Sequence, residues 1–123
     1  MIILDTSVLV EALGAGGRLG GALRDALARR ERIAVPALVL YEWLRGPRIP
    51  EELRAQEALF PSAGALPFGA GEAAVAAGLY LSVPRARGRE VDLAIAATAL
   101  TWRAPLWTLN PDDFRDVPGL ELL

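Results

Sequence analysis

Five short apolar runs punctuate the chain: Ile2–Leu4, Ile33–Val35, Ala65–Phe68, Leu106–Leu109 and Leu120–Leu123. Runs this short and this apolar are the signature of strands buried on both faces. The stretches between them read as helices. Thr6–Leu13 opens on two hydroxyl residues and stops at Gly14. Arg18–Arg32 carries Leu19, Leu23 and Leu27 four residues apart. Ala37–Arg45 follows Pro36, and Pro50 starts a helix to about Leu59. Gly71–Leu81 is rich in Ala, Arg85–Gly88 reads as a turn, and Glu90–Trp102 is a further helix. Strands alternating with helices predict an α/β fold, with helices flanking a central parallel sheet in three layers. The 123 residues suffice for one domain, 1–123. In such a fold, ligands gather at the carboxyl ends of the strands.

Composition narrows the chemistry. The chain has no His and no Cys, and all 13 basic residues are Arg. Imidazole and thiolate catalysis are therefore excluded, as are His- or Cys-ligated metals and lysine mechanisms. Carboxylates, hydroxyls and Arg remain, and carboxylates alone suit hard cations such as Mg²⁺ or Mn²⁺. At 53% hydrophobic residues, the chain also has apolar surface to spare for a partner. Met1 is followed at once by Ile2-Ile3-Leu4, with no basic leader, and the charge-free run Leu93–Trp102 is far short of the ~20 residues of a membrane span. A cytoplasmic protein with no membrane partner is expected.

Four carboxylates stand where a purely structural role explains them poorly. Asp5 ends the first strand, at the site-forming edge; its alternative role is to cap the helix that follows. Glu42 shares a helix face with Leu38 and Val39 and would be costly to bury unpaired; the alternative is a partly exposed Glu bonded to Arg45. Asp92 sits in the first turn of its helix, where the dipole favours an acid, yet Glu90 already supplies that charge. Asp113 follows Asn110-Pro111-Asp112, a common turn sequence, but precedes the apolar Phe114. Side chains one residue apart in a helical turn diverge by about 100°, so Asp112 and Asp113 should not face the same way. If the four converge, two charges ~5 Å apart at an effective dielectric of ~20 repel by about 3 kcal/mol. A divalent cation would relieve that repulsion and supply catalytic power.

Taken in order, these segments resemble the motifs of PIN domains, and within that family the VapC-type toxins of type II toxin–antitoxin pairs. Ile2-Ile3-Leu4-Asp5-Thr6-Ser7 resembles the opening motif. Val39-Leu40-Tyr41-Glu42-Trp43-Leu44-Arg45-Gly46 resembles the second. Asp92-Leu93-Ala94-Ile95-Ala96-Ala97 resembles the third, and Thr108-Leu109-Asn110-Pro111-Asp112-Asp113-Phe114 the last. The resemblance runs over nearly the whole chain. It implies a Rossmann-like three-layer PIN fold and a Mg²⁺- or Mn²⁺-dependent endoribonuclease. It makes Asp5, Glu42, Asp92 and Asp113 both catalytic residues and metal ligands, with Thr6, Thr108 and Asn110 as supporting polar groups. The family often has Asp or Asn where Asn110 stands; here it is the neutral amide, which shifts the burden to Asp113. Leu109 stands where many members carry a basic residue. The implied reaction is hydrolysis by water, leaving 5′-phosphate and 3′-hydroxyl ends. The implied partners are an RNA substrate, a cognate antitoxin and a second copy of the chain.

A formal charge of −2 does not forbid RNA, because neutralising the four carboxylates turns the balance positive. Arg45, Arg85, Arg87 and Arg89, with Arg48, are candidate phosphate contacts; the plainer reading of each is a solvated surface charge. Trp43, Trp102 and Trp107 are candidates for base stacking or for packing. A receiver domain would need a lysine that the chain lacks, and a haloacid-dehalogenase-like phosphatase would need an Asp where Ser7 stands. A PIN scaffold that is a weak catalyst and binds RNA or protein is the alternative function, kept open by Asn110.

Overall fold

A computed structural model describes residues 1–14 and 17–123. Among them, three parallel strands form one sheet in the order β2-β1-β3, flanked by six helices. Strand β1 is Ile2–Leu4, β2 is Ile33–Ala34 and β3 is Leu106–Trp107. The helices are α1 (Thr6–Leu13), α2 (Gly20–Ala28), α3 (Ala37–Arg45), α4 (Pro50–Leu59), α5 (Ala70–Ser82) and α6 (Glu90–Thr101). The α/β class and the parallel sheet are as the sequence predicts.

Strand β1 is central and its Ile3 and Leu4 are fully buried, which is why it reads as an unbroken apolar run. Its register pairs Ile3 with Ala34 on one side and with Leu106 on the other, and Leu4 with Trp107. That register sets Asp5 level with the end of β3: the Asp5 N–H donates to the Trp107 carbonyl at 2.9 Å. Helix α6 is buried from Leu93 through Ala99. A helix apolar on all sides belongs in a core. Its Ala residues let neighbouring helices approach closely, and α5 and α3 pack against it.

Three expectations change in detail. The runs Ala65–Phe68 and Leu120–Leu123 are not full strands. Each contributes one parallel bridge, Leu66 to Pro36 and Leu122 to Leu106, so they extend the sheet edges by a single pairing. The helix expected over Arg18–Arg32 covers only Gly20–Ala28, and the chain turns at Arg30, whose φ is 61°. There the Glu31 N–H reaches the Ala26 carbonyl and the Arg30 N–H reaches Leu27, a Schellman closure with Arg in the usual Gly position. Helix α6 closes the same way on Arg103, φ 51°, with Ala104 bonded to Ala99. Gly14 does end α1 as expected, but by close approach rather than by positive φ: a Cβ there would lie 2.6 Å from the Val10 carbonyl oxygen.

A left-handed conformation costs an L-residue roughly 1–2 kcal/mol, partly offset by the extra unfolded-state freedom of Gly. Arg30→Gly and Arg103→Gly should therefore each stabilise the fold by about 1 kcal/mol, read as a shift in the urea midpoint at constant slope.

Candidate metal centre

The carboxyl end of β1 delivers Asp5 into an open pocket of ≈ 770 Å³. Asp5 stands at the N-cap position of α1, yet its side chain makes no capping bond. Two hydroxyls take its Oδ2 instead: Ser7 Oγ donates at 2.8 Å and Thr108 Oγ1 at 2.7 Å. Both contacts follow from the strands. Leu4 pairs with Trp107, so the next residues, Asp5 and Thr108, emerge side by side. Asp5 is 5% exposed, and among the described residues Oδ1 has no hydrogen-bond donor. Of the expected supporting polar groups, Thr108 bonds Asp5, together with Ser7, and Thr6 does not.

Thr6 serves the second acid. Its Oγ1 donates to Glu42 Oε1 at 2.5 Å, tying α1 to α3. Arg45 Nη2 lies 3.3 Å from Oε2, so both alternatives for Glu42 hold at once: it faces the pocket and it pairs with Arg45. The fully buried Val39 and Trp43 lock this helix in place.

Asp92 projects from the first turn of α6 into the same pocket. Glu90 turns away, accepting the Gly88 N–H at 3.2 Å. Burial pushes the Asp92 carboxyl up to about 6, and the charges of Asp5, Asp113 and Glu42 push it the same way; Arg89 opposes them. Asp5, Glu42 and Asp113 line the same pocket as Asp92.

The loop after β3 supplies the rest. Asn110 and Asp113 line the pocket, whereas Asp112 does not; it pairs with Arg115 at the surface. Phe114, 2% exposed, anchors the loop in the core and sets which way the two acids point. Arg89 braces it from outside, donating to Asp116 at 2.7 and 2.8 Å, to the Asp113 carbonyl at 2.9 Å and to the Pro84 carbonyl at 3.1 Å.

The candidate phosphate contacts fare differently. Arg89 is engaged in the brace, with both Nη groups bonded to protein acceptors. Arg85 lies with it in a separate recess, and Arg87 is exposed outside the pocket. Arg45 touches the site through Glu42 and stacks on Tyr41 at 5.3 Å. Trp43 is a core residue under the Arg48 guanidinium, Trp102 lies exposed at the end of α6, and Trp107 is half-buried in β3. Sequence reasoning missed three pocket residues: Ser7, Glu11 and Arg18. Ser7 had a signal in its hydroxyl two residues after Asp5, at the start of a helix.

The residues fit a hard divalent cation. The donors are all oxygen, one carboxylate oxygen of Asp5 lacks a protein donor, and an unrelieved repulsion is centred on Asp92. Among the described residues no group of three acids is drawn together tightly enough to hold an ion unaided.

A model of the PIN domain matches residues 2–120. A curated relative, ribonuclease VapC of Rickettsia bellii (strain RML369-C), is 32% identical over 135 residues, spanning 99% of this chain and 94% of that protein. Among solved structures, VapBC2 from Rickettsia felis bound to a DNA fragment from their promoter superposes with a TM-score of 0.73 at 21% identity, covering 100% of this chain and 98% of that one. FitAcB from Neisseria gonorrhoeae gives 0.74 at 23%, covering 100% and 96%. DNA-bound VapBC from Salmonella typhimurium gives 0.76 at 16%, covering 99% and 96%. At these identities the structural likenesses speak for the fold, and the family match extends from the first strand to the last loop. Sequence, sheet and acidic pocket agree that this chain belongs to the PIN domain family.

Proposed function

We propose that this chain is a Mg²⁺- or Mn²⁺-dependent endoribonuclease, the toxin of a type II toxin–antitoxin pair. The observation that carries the reading is the convergence of Asp5, Glu42, Asp92 and Asp113, from four separate segments, on one open pocket. The 32% identity to a ribonuclease VapC supports it. Asp5, Glu42, Asp92 and Asp113 would hold the cation, Asn110 completing the rim. When bound, a divalent cation supplies charge neutralisation at the phosphodiester and acidifies water. The chain's own groups do the rest. Ser7 and Thr108 fix Asp5 by hydroxyl bonds that leave its charge intact, and Thr6 fixes Glu42. The carboxylates orient the attacking water and accept its proton. Since water attacks rather than the ribose 2′-hydroxyl, products end in 5′-phosphate and 3′-hydroxyl.

A second reading, a scaffold that binds RNA or protein with weak catalysis, draws on the neutral Asn110 and on acids that are not pre-gathered around an ion. Cleavage separates the two. Purified protein with Mg²⁺ or Mn²⁺ should cut RNA, EDTA should abolish the cut, and end-group analysis should find 5′-phosphate. Asp113→Ala should lower turnover or metal affinity by at least about tenfold, roughly 1.4 kcal/mol, and Asp112→Ala by much less. Cleavage surviving EDTA contradicts the first reading; no cleavage with any metal leaves the second.

The same reading brings an antitoxin and a second copy of the chain as partners. The second copy has a face to use: Phe68, Tyr80 and Leu81 line an apolar groove of ≈ 650 Å³ with Leu38 and Val91, and Leu81 is 85% exposed. No helix among the described residues is long and apolar enough to cross a membrane. Light scattering at micromolar concentration should give a dimer, and Leu81→Asp should give a monomer of unchanged circular dichroism. A wild-type monomer would contradict the pairing.

A further inference from the structure

Among the described residues, one cationic side chain lines the acidic pocket: Arg18. Sequence spacing pointed to other arginines, but Arg45 and Arg89 are paired with Glu42 and Asp116 and do not line it. Beside Arg18, the Leu19 N–H donates to the Glu11 carbonyl at 3.3 Å, which ties this rim segment to the last turn of α1. The Arg18 guanidinium meets the Glu11 carboxylate fork to fork, Nε to Oε2 at 2.9 Å and Nη2 to Oε1 at 3.1 Å. Arg18 is 80% exposed and Glu11 30%. An ion pair so open to water is weak and readily exchanged.

A polyanion entering a pocket lined by Asp5, Glu11, Glu42, Asp92 and Asp113 meets repulsion everywhere except at this side chain. The planar fork that matches a carboxylate also matches a phosphodiester, and both contacts use the same donors. We propose that Arg18 is the pocket's phosphate contact, and that a backbone phosphate of the bound RNA takes its fork from Glu11. Glu11 is then a built-in competitor that sets how tightly RNA binds. This rests on the ribonuclease reading for its ligand. The hydrogen bond from Arg18 holds the Glu11 carboxyl below its usual range, so the competitor is charged at neutral pH.

The two residues should act with opposite sign, and the effect of Glu11 should be largest while Arg18 is present. In an Asp92→Asn background with Mg²⁺, anisotropy of a labelled single-stranded oligoribonucleotide gives Kd. Arg18→Ala should raise Kd about tenfold and reduce the salt slope by about 0.7, one phosphate contact on a single strand. Glu11→Gln should lower Kd by about threefold, and by clearly less once Arg18 is Ala, where only the direct repulsion of the pocket acid is relieved. Arg18→Lys should recover part of the loss, keeping charge without the fork. Unchanged affinity and slope in Arg18→Ala would overturn the proposal. So would a Glu11→Gln effect that is just as large without Arg18. If the wild-type chain fails to cut RNA while these shifts appear, the ribonuclease reading falls and this one stands. If it cuts RNA and the shifts are absent, this one alone falls.

Discussion

Repulsion among carboxylates at the carboxyl edge of a small parallel sheet is the constraint around which the rest is arranged. Uncompensated, it would splay the elements that carry Asp5, Glu42, Asp92 and Asp113. The protein counters it mostly without opposite charge. Ser7 and Thr108 hold Asp5, Thr6 holds Glu42, and the N-terminus of α6 favours negative charge at Asp92. Neutral donors restrain the acids while leaving their charge available. Full ion pairs would spend that charge on stability alone. Where Arg does enter, it works at the periphery: Arg45 on one oxygen of Glu42, Arg18 on Glu11, and Arg89 on the loop behind Asp113.

The Arg89 brace illustrates how the fold positions chemistry through backbone. Its bonds to Asp116 and to the Asp113 carbonyl join the start of α6 to the loop after β3, the two segments that carry Asp92 and Asp113. Phe114 secures that loop from the inside. The orientation of Asp113 toward the pocket and of Asp112 toward solvent is thus decided from both sides of the loop. Arg89 also draws the Asp92 carboxyl down, against burial and the other acids.

Much of this was legible in the sequence, for physical reasons. A strand buried on both faces has to be an apolar run, so β1 and the acid at its end were visible. A carboxylate among Leu38, Val39 and Trp43 has to be explained, so Glu42 was visible. What escaped depends on contacts between distant segments or on backbone conformation. Nothing in Ala28-Arg29-Arg30 announces a left-handed residue, since Arg stands where Gly is usual, and α2 therefore stops early. Leu66 and Leu122 look like strand residues but find one partner each. Arg18 meets Glu11 seven residues away, in a different segment, a pairing no helical or strand period predicts. Arg89 looked like a surface cation because Asp116 lies 27 residues further on.

The burial of Asp92, reinforced by the acids around it, has a direct thermodynamic consequence. The Asp92 carboxyl titrates at about 6 in the folded chain and at its ordinary value of 3.8 when unfolded. Between those values the folded state binds the extra proton, so the stability it contributes is complete below about pH 4 and lost as pH rises through 6. Unfolding free energies of wild type and Asp92→Asn in metal-free buffer, measured from pH 4 to pH 8, isolate that term. The two proteins should be nearly equal at pH 4. Asp92→Asn should become progressively the more stable as pH rises, with the gap levelling above pH 7. A gap that does not change with pH, or one that favours the wild type at pH 8, would contradict the claim that Asp92 is buried in an acidic pocket.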